Sequence, residues 1–177
     1  MIHAKDLRRK ESIEIIPNDQ PGYYKWWACR DEFDMILAAL EVRYDDVASY
    51  VEVNSNCQYA IYVGIAAKES IRKRLDWHVN DKHTKSKVLH GTLSTLRQSI
   101  SSIIARNQFD KEATDNFIDK LDIEYHTIDA AIGSQEAKNQ LHEIERQLLA
   151  EHLYLINIQE NHHPAADKTK KKLKSND

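Results

Sequence analysis

The residues of this chain that could do chemistry are an arginine with no acid at helical spacing, a carboxylate set among leucines, and two tyrosines beside small residues. In Ser70-Ile71-Arg72-Lys73-Arg74-Leu75-Asp76-Trp77-His78 the two arginines have different neighbours. Arg72 has Glu69 three residues before it and Asp76 four after, so pairing along a helix would absorb its charge. Arg74 has Ser70, Ile71, Trp77 and His78 at those offsets, with no acid among them. A guanidinium without a local counter-ion awaits an anion, and a phosphate is the natural candidate. His78 follows one turn later on the same face. On its own it reads as a structural histidine; beside Arg74 it becomes a candidate functional group.

The last helical stretch offers two carboxylates. Glu143 has Asn139, Gln140, Arg146 and Gln147 as helical neighbours, which is a solvated face. Glu145 has Leu141, Leu148 and Leu149, so its carboxylate points into an apolar stripe. That placement is costly unless a cation or strong donors meet it, and a divalent metal would do so. Asn157 lies twelve residues beyond, in Leu155-Ile156-Asn157-Ile158-Gln159-Glu160-Asn161, where either asparagine also reads as a turn residue.

The tyrosines sit on strand patterns. In Tyr59-Ala60-Ile61-Tyr62-Val63-Gly64-Ile65, alternation puts Tyr59, Ile61 and Val63 on a core face and Ala60, Tyr62 and Gly64 on the other. Tyr62 then has small residues on both sides, and open space beside its hydroxyl suits a ligand. Tyr24 shares a face with Gly22 in the same way. Packing with the hydroxyl at a rim explains any single strand tyrosine equally well.

Several elements must hold these groups. Met1 to Gln20 is polar and reads as a loosely packed arm in which Ile13, Ile15 and Ile16 could form a short strand or staple. Pro21-Gly22 turns into the strand Tyr23 to Trp27. A helix from Phe33 to Leu40 has Asp31 as its candidate N-cap. After the strand at Tyr59, a helix spans Ser70 to Asn80 and a Lys/His-rich loop runs to Lys87. The stripe Leu89, Leu93, Leu96, Ile100, Ile103 and Ile104 predicts one long helix from Val88 to Arg106. A short helix from Lys111 to Leu121, a strand from Ile123 to Ile128 and a helix from Gly133-Ser134 to Leu153 complete the pattern. Three short strands separated by helices make a small α+β domain over residues 21–164, followed by a basic tail, 165–177, expected to be disordered.

The composition bounds the partners. The 177 residues carry a formal charge of -3, which argues against coating nucleic acid by bulk charge. From Ala66 to Arg106, however, nine basic residues meet three acidic ones, a local charge of +6. That suits a polyanion gripped in one place, although solvated helix faces would look the same. Two cysteines, Cys29 and Cys57, no secretory signal and no membrane-spanning run point to a soluble protein of the reducing cytoplasm.

In order, these pieces resemble the GIY-YIG nuclease superfamily. Gly22-Tyr23-Tyr24 stands where the first motif would be and Tyr62-Val63-Gly64 where the second would. Ile71-Arg72-Lys73-Arg74-Leu75-Asp76-Trp77-His78 is similar to the helix motif, and Glu145 with Leu148-Leu149 and Leu155-Ile156-Asn157 to the closing segment. The two tyrosine motifs lie further apart than in the minimal family form, with a helix between them, as in restriction-enzyme members. Where some members carry a lysine after the second-motif glycine, Ile65 stands here, so Lys25 or Lys68 could substitute.

The resemblance implies a central three-stranded antiparallel sheet flanked by helices, with a helical insertion between the first two strands. It also implies hydrolysis of DNA phosphodiesters with one divalent ion, Mg2+ or another such as Mn2+. Glu145 would hold the metal, Tyr24 would act as general base or position the water, and Arg74 would stabilise the phosphate. Tyr62 and His78 would orient the reactants, and Asn157 would support the site. Tyrosine, with an ordinary pKa of ~10, serves as a base only if nearby positive charge lowers it. The inserted helix and the loop from Asn80 to Lys87, through Lys82, Lys85 and Lys87, are the expected DNA contacts, and a homodimer would supply one site per strand. The rival readings are a non-catalytic DNA-binding or scaffold protein of the same fold and a metal protein built on His162-His163 and the scattered histidines. The latter have no zinc-site spacing.

Overall fold

The two tyrosine-bearing segments pair directly as antiparallel strands, which places both motifs in the middle of the molecule. The computed structural model describes residues 1–104, 109–157 and 161. Among them the sheet has four strands in the order β1-β4-β2-β3: β1 (Ile2–His3), β2 (Gly22–Ala28), β3 (Tyr59–Ala66) and β4 (Asp122–Thr127). Every neighbouring pair is antiparallel. The α+β class holds, but the sheet is wider than the three strands expected.

The extra strand comes from the N-terminal segment. Ile2 and His3 pair with Ile123 and Asp122. Beyond them come a 3-10 turn at Ala4–Arg8 and the helix α1 (Lys10–Glu14). Ala4, Leu7 and Ile16 are buried, so residues 1–20 pack onto the fold and are not a loose arm. The polar composition hid this because the buried apolar side chains are spaced too widely to make a periodic signal.

The remaining helices follow their local signals. Between β2 and β3 lies α2 (Arg30–Ala39), whose Phe33, Ile36 and Leu37 are buried. Its N-cap is Cys29; Asp31 and Glu32 lie in the first turn, where negative charge complements the helix dipole. Ser70 caps α3 (Ile71–Asn80), accepting the Lys73 amide at 3.2 Å. Asp110 caps α6 (Lys111–Ile118), and Ser134 caps α7 (Gln135–Glu151).

The long helix expected from Val88 to Arg106 is divided. Thr84 caps α4 (Lys85–Leu89), and α5 (Thr95–Ile104) starts only after a turn containing Gly91 at φ +59°. Left-handed backbone of this kind is open to glycine and ends a helix. Leu89 leaves the stripe and is exposed, whereas Leu93, Leu96 and Ile100 stay buried. None of the helices in the described residues is long and apolar enough to cross a membrane.

One face of the sheet carries Tyr24, Trp26, Tyr59, Ile61 and Tyr62, packed with residues of α2, α3, α5 and α6. The other carries Trp27, Ala60 and Val63 against Leu149 of α7 and Tyr154. Strict alternation fails in β3. Trp26 pairs with Tyr62 but Trp27 with Ala60, so Ile61 is the extra residue of a bulge. This bulge puts Ile61 and Tyr62 in one cluster and Ala60 and Val63 in the other, a different partition from the simple two-residue period.

Edge strand β3 is closed from outside by the segment after α7. Ile156 N–H donates to Ile61 O at 3.1 Å. The Asn157 side chain accepts from Val63 N–H at 2.9 Å and donates to Val63 O at 2.8 Å, taking the place of a further strand. Asn157 thus touches the motif strand directly, and Asn161 donates to Tyr154 O. Replacing Asn157 with Ala should destabilise the fold by about 1–3 kcal/mol, because Val63 loses both partners. Denaturant titration measures the loss, and native-state hydrogen exchange should speed up at the Val63 amide.

Candidate active site

The register of β2 against β3 builds the centre of the site. Tyr24 pairs with Gly64 and Trp26 with Tyr62, so the Tyr24 ring lies over the backbone of Gly64. A Cβ on Gly64 would stand 2.5 Å from Tyr24 Oη, closer than atoms pack, and in tight contact with Tyr62 Cε1 at 3.1 Å. The space expected beside Tyr62 therefore exists but is filled by the second phenol. The two rings lie 6.4 Å apart, centre to centre.

His78 completes this cluster from α3. Its Nε2 lies 2.6 Å from Tyr24 Oη, a hydrogen bond wholly inside the core. The His78 ring is 6.0 Å from Tyr62 and 5.9 Å from Trp77, with Trp26 edge-on to it. The i, i+4 spacing from Arg74 to His78 puts both on one side of α3.

Arg74 is not without a counter-ion. Its Nε lies 2.7 Å from Glu69 Oε1, a close ion pair whose approach is off the N–H axis, and its guanidinium sits 5.0 Å over the Trp77 ring. The arginines exchange the roles their sequence spacing assigned. Arg72 bonds not to Glu69 or Asp76 but to the backbone, donating to Ile16 O at 2.5 Å and Glu14 O at 2.6 Å. Glu69 precedes the N-cap Ser70, so helical offsets do not apply to it, and it reaches Arg74 from five residues away.

Electrostatics tie Glu145 to the same cluster. Burial, then the negative charge of Glu145, pushes the Tyr62 hydroxyl up to about 12, while Arg74 acts the other way. Tyr24 is raised well above its ordinary 10, first by burial and next by Tyr62; Arg74 opposes, and Glu145 and Glu69 add to the rise. His78 is held well below 6.5, first by burial and then by the positive charges of Arg74 and Arg97. Glu145 itself is mostly buried, with His142 Nδ1 at 3.7 Å. Glu143, by contrast, is exposed and bonded to Arg146 and Gln147. Tyr24, Tyr62, Arg74, His78 and Glu145 thus act on one another from β2, β3, α3 and α7. The result is a neutral phenol pair on a neutral imidazole, bordered by one cation and two carboxylates.

The lysines do not all join this picture. Lys25 is buried on the opposite sheet face, 2.6 Å from Glu52, whose other oxygen accepts the Tyr154 hydroxyl at 2.8 Å. Strand alternation turns it away from Tyr24 and onto the face that Ile65 shares, since Tyr23 pairs with Ile65 and Lys25 with Val63. Lys87 is ion-paired with Asp81. Lys68, Lys82 and Lys85 are exposed, with Lys85 over the Phe109 ring. The locally basic segment is therefore less free than its charge suggests, since Arg72, Arg74, Lys87 and the fully buried Arg97 are engaged internally. Local spacing gives Glu69 to Arg72 instead of Arg74 and does not single out Arg97. Arg97 does carry a signal, a charge four residues after Leu93 and three before Ile100, on the apolar stripe itself. The described residues contain no group of three or more potential metal-ligating side chains, and His162, His163 and the tail from residue 165 lie outside them.

The buried imidazole makes stability depend on pH. The folded ring stays neutral while the unfolded ring takes up a proton near 6.5, so acid favours the unfolded chain. This contribution is complete above 6.5 and is lost as pH falls through the folded value. Melting curves of the wild type and His78→Gln should differ by a constant amount above about pH 7, with the wild type losing ground below that.

The sheet, its two pairing motifs and the flanking helices agree with an independent comparison. A family model for the GIY-YIG catalytic domain matches residues 22–176, which takes in everything from β2 through α7. No curated protein and no solved structure matches the chain. With Gly22-Tyr23-Tyr24 opening β2, Tyr62-Val63-Gly64 on β3 and a match over most of its length, the chain belongs to the GIY-YIG catalytic-domain family, a membership that points to nuclease chemistry.

Proposed function

We propose that this protein is a metal-dependent DNA endonuclease of the restriction-like kind, hydrolysing phosphodiester bonds at the Tyr24–Tyr62–His78 cluster. The observation that carries this reading is that the two motif tyrosines of the matched domain meet His78 in one cluster, Tyr24 Oη 2.6 Å from His78 Nε2, with Arg74 one turn before His78 on the same side of α3. Arg74 is the group for the phosphate: a planar guanidinium held on Trp77 can neutralise charge that develops in the transition state. Glu69 keeps it oriented until an anion arrives.

Tyr24 is the residue for the attacking water. Its hydroxyl is neutral at rest and held at 2.6 Å by His78 Nε2, so Tyr24 Oη is fixed in direction to hydrogen-bond and position that water. Tyr62 limits the space around that hydroxyl, and Asn157 supports both through the backbone of Val63.

Glu145 is the fitting metal ligand. A small hard ion such as Mg2+ or Mn2+ is held by one or two carboxylates, with water and substrate oxygens completing its shell, so a single mostly buried carboxylate suffices. Such an ion on Glu145 would polarise the scissile phosphate and cancel the negative charge that opposes ionisation of both phenols. Exposed Lys68, Lys82 and Lys85 are suited to hold the DNA backbone.

Plasmid cleavage separates this reading from a non-catalytic DNA-binding scaffold. Cleavage should require Mg2+ or Mn2+ and stop with EDTA. Glu145→Ala and Arg74→Ala should each lower the rate by about 100-fold or more, with the DNA dissociation constant within about threefold of wild type. An inert wild type with either ion, or variants that bind DNA as before and cut as fast, would sink the proposal. A homodimer with one site per strand should give linear product without a build-up of nicked circles, whereas one copy cutting the strands in turn should accumulate them first.

A further inference from the structure

We infer that the segment ahead of the matched domain is a working part of the site: Arg8, together with Arg97 of α5, grips the carbonyl end of α3 and thereby sets His78 against Tyr24. The consequence for catalysis rests on the endonuclease reading; the consequence for the His78 ring does not.

A helix leaves its last four carbonyls without internal partners. At Asp81 the chain leaves α3 in an extended conformation with no glycine cap, so these carbonyls need donors from elsewhere. Arg97 Nη2 donates to Val79 O at 2.7 Å, and its Nε approaches His78 O at 3.3 Å. Arg8 Nη1 donates to the same Val79 O at 2.9 Å. The two guanidinium groups share Asp115, at 2.7 Å from Arg97 and 3.3 Å from Arg8, and Arg8 also bonds Asp119 at 2.6 Å. Positive charge here complements the negative end of the helix dipole.

The N-terminal segment holds the other end of α3 as well. Gln20 O accepts the Ile71 amide at 3.0 Å, Ser70 Oγ donates to Asn18 Oδ1 at 3.0 Å, and Arg72 bonds Ile16 O and Glu14 O. At the carbonyl end, Asn80 Nδ2 donates to Leu7 O at 3.1 Å. Residues 7–20, which precede the family match at residue 22, therefore fix α3 at both ends. Between those ends the helix carries Arg74 and His78, and a 2.6 Å bond to Tyr24 tolerates little rotation or sliding. The charge of Arg97 also helps keep the imidazole neutral, after burial and Arg74. Arg8 bonds none of the phenols, so its role is positioning.

The test uses the full chain. Arg97 is fully buried, and its replacement risks misfolding, so partly exposed Arg8 carries the experiment. In Arg8→Gln, kcat on plasmid with Mg2+ should fall about tenfold with KM within about twofold, and Arg8→Lys should recover much of the loss. Independently of cleavage, the ring 15N resonances of His78 in metal-free protein should move in Arg8→Gln and return toward wild type in Arg8→Lys. Unmoved His78 resonances in Arg8→Gln would overturn the inference, whatever the rate does. If the wild type does not cut DNA, the endonuclease reading fails, and the ring resonances alone decide whether the clamp exists.

Discussion

The rest of the site depends on one close approach, the ring of Tyr24 lying against the bare backbone of Gly64. That contact exists because β2 and β3 pair in a single register, and it leaves no room for a methyl group. From it follows the position of the Tyr24 hydroxyl, and from the hydroxyl the 2.6 Å bond to His78. The bond in turn constrains α3, which brings Arg74 and its partner Glu69 to the rim of the same cluster. A shift of one residue between the strands would move Tyr24 to the other face and undo all of these relations together.

The cluster is an apolar interior that contains ionisable groups without their charges. Burial favours the neutral forms of both phenols and of the imidazole, so all three are uncharged at neutral pH. The formal charges, on Arg74, Glu69 and Glu145, border them and act in opposite directions. Such a balance is responsive: any ligand that neutralises Glu145 or engages Arg74 changes the acidity of two hydroxyls at once.

The outer parts of the molecule serve the same end by less visible means. Asn157 closes the free edge of β3 beside the second motif, so the strand that carries Tyr62 and Gly64 is held on both sides. The buried Lys25–Glu52–Tyr154 network anchors the opposite face of β2. Burying a charge in this way is tolerated because each member has a close partner.

What could be read in the sequence was what depends on near neighbours in the chain. Ser70 and Ser134 announced their helices, Tyr59 to Ile65 announced a strand, and the contrast between Glu143 and Glu145 followed from residues three and four positions away. The family was legible from its short motifs for the same reason, and the fold gathers Tyr24, Tyr62 and His78 of those motifs into one cluster. Long-range pairing was not legible. The bulge at Ile61, the edge strand made by Ile2 and His3, the ion pair of Arg74 with Glu69 and the burial of Lys25 and Arg97 each depend on a partner outside the local period. Local spacing determines which elements form and which faces they offer, because backbone hydrogen bonds and side-chain direction repeat over a few residues. Which charge meets which is decided only when those elements pack, because desolvation forces every buried group to find a partner wherever the fold supplies one.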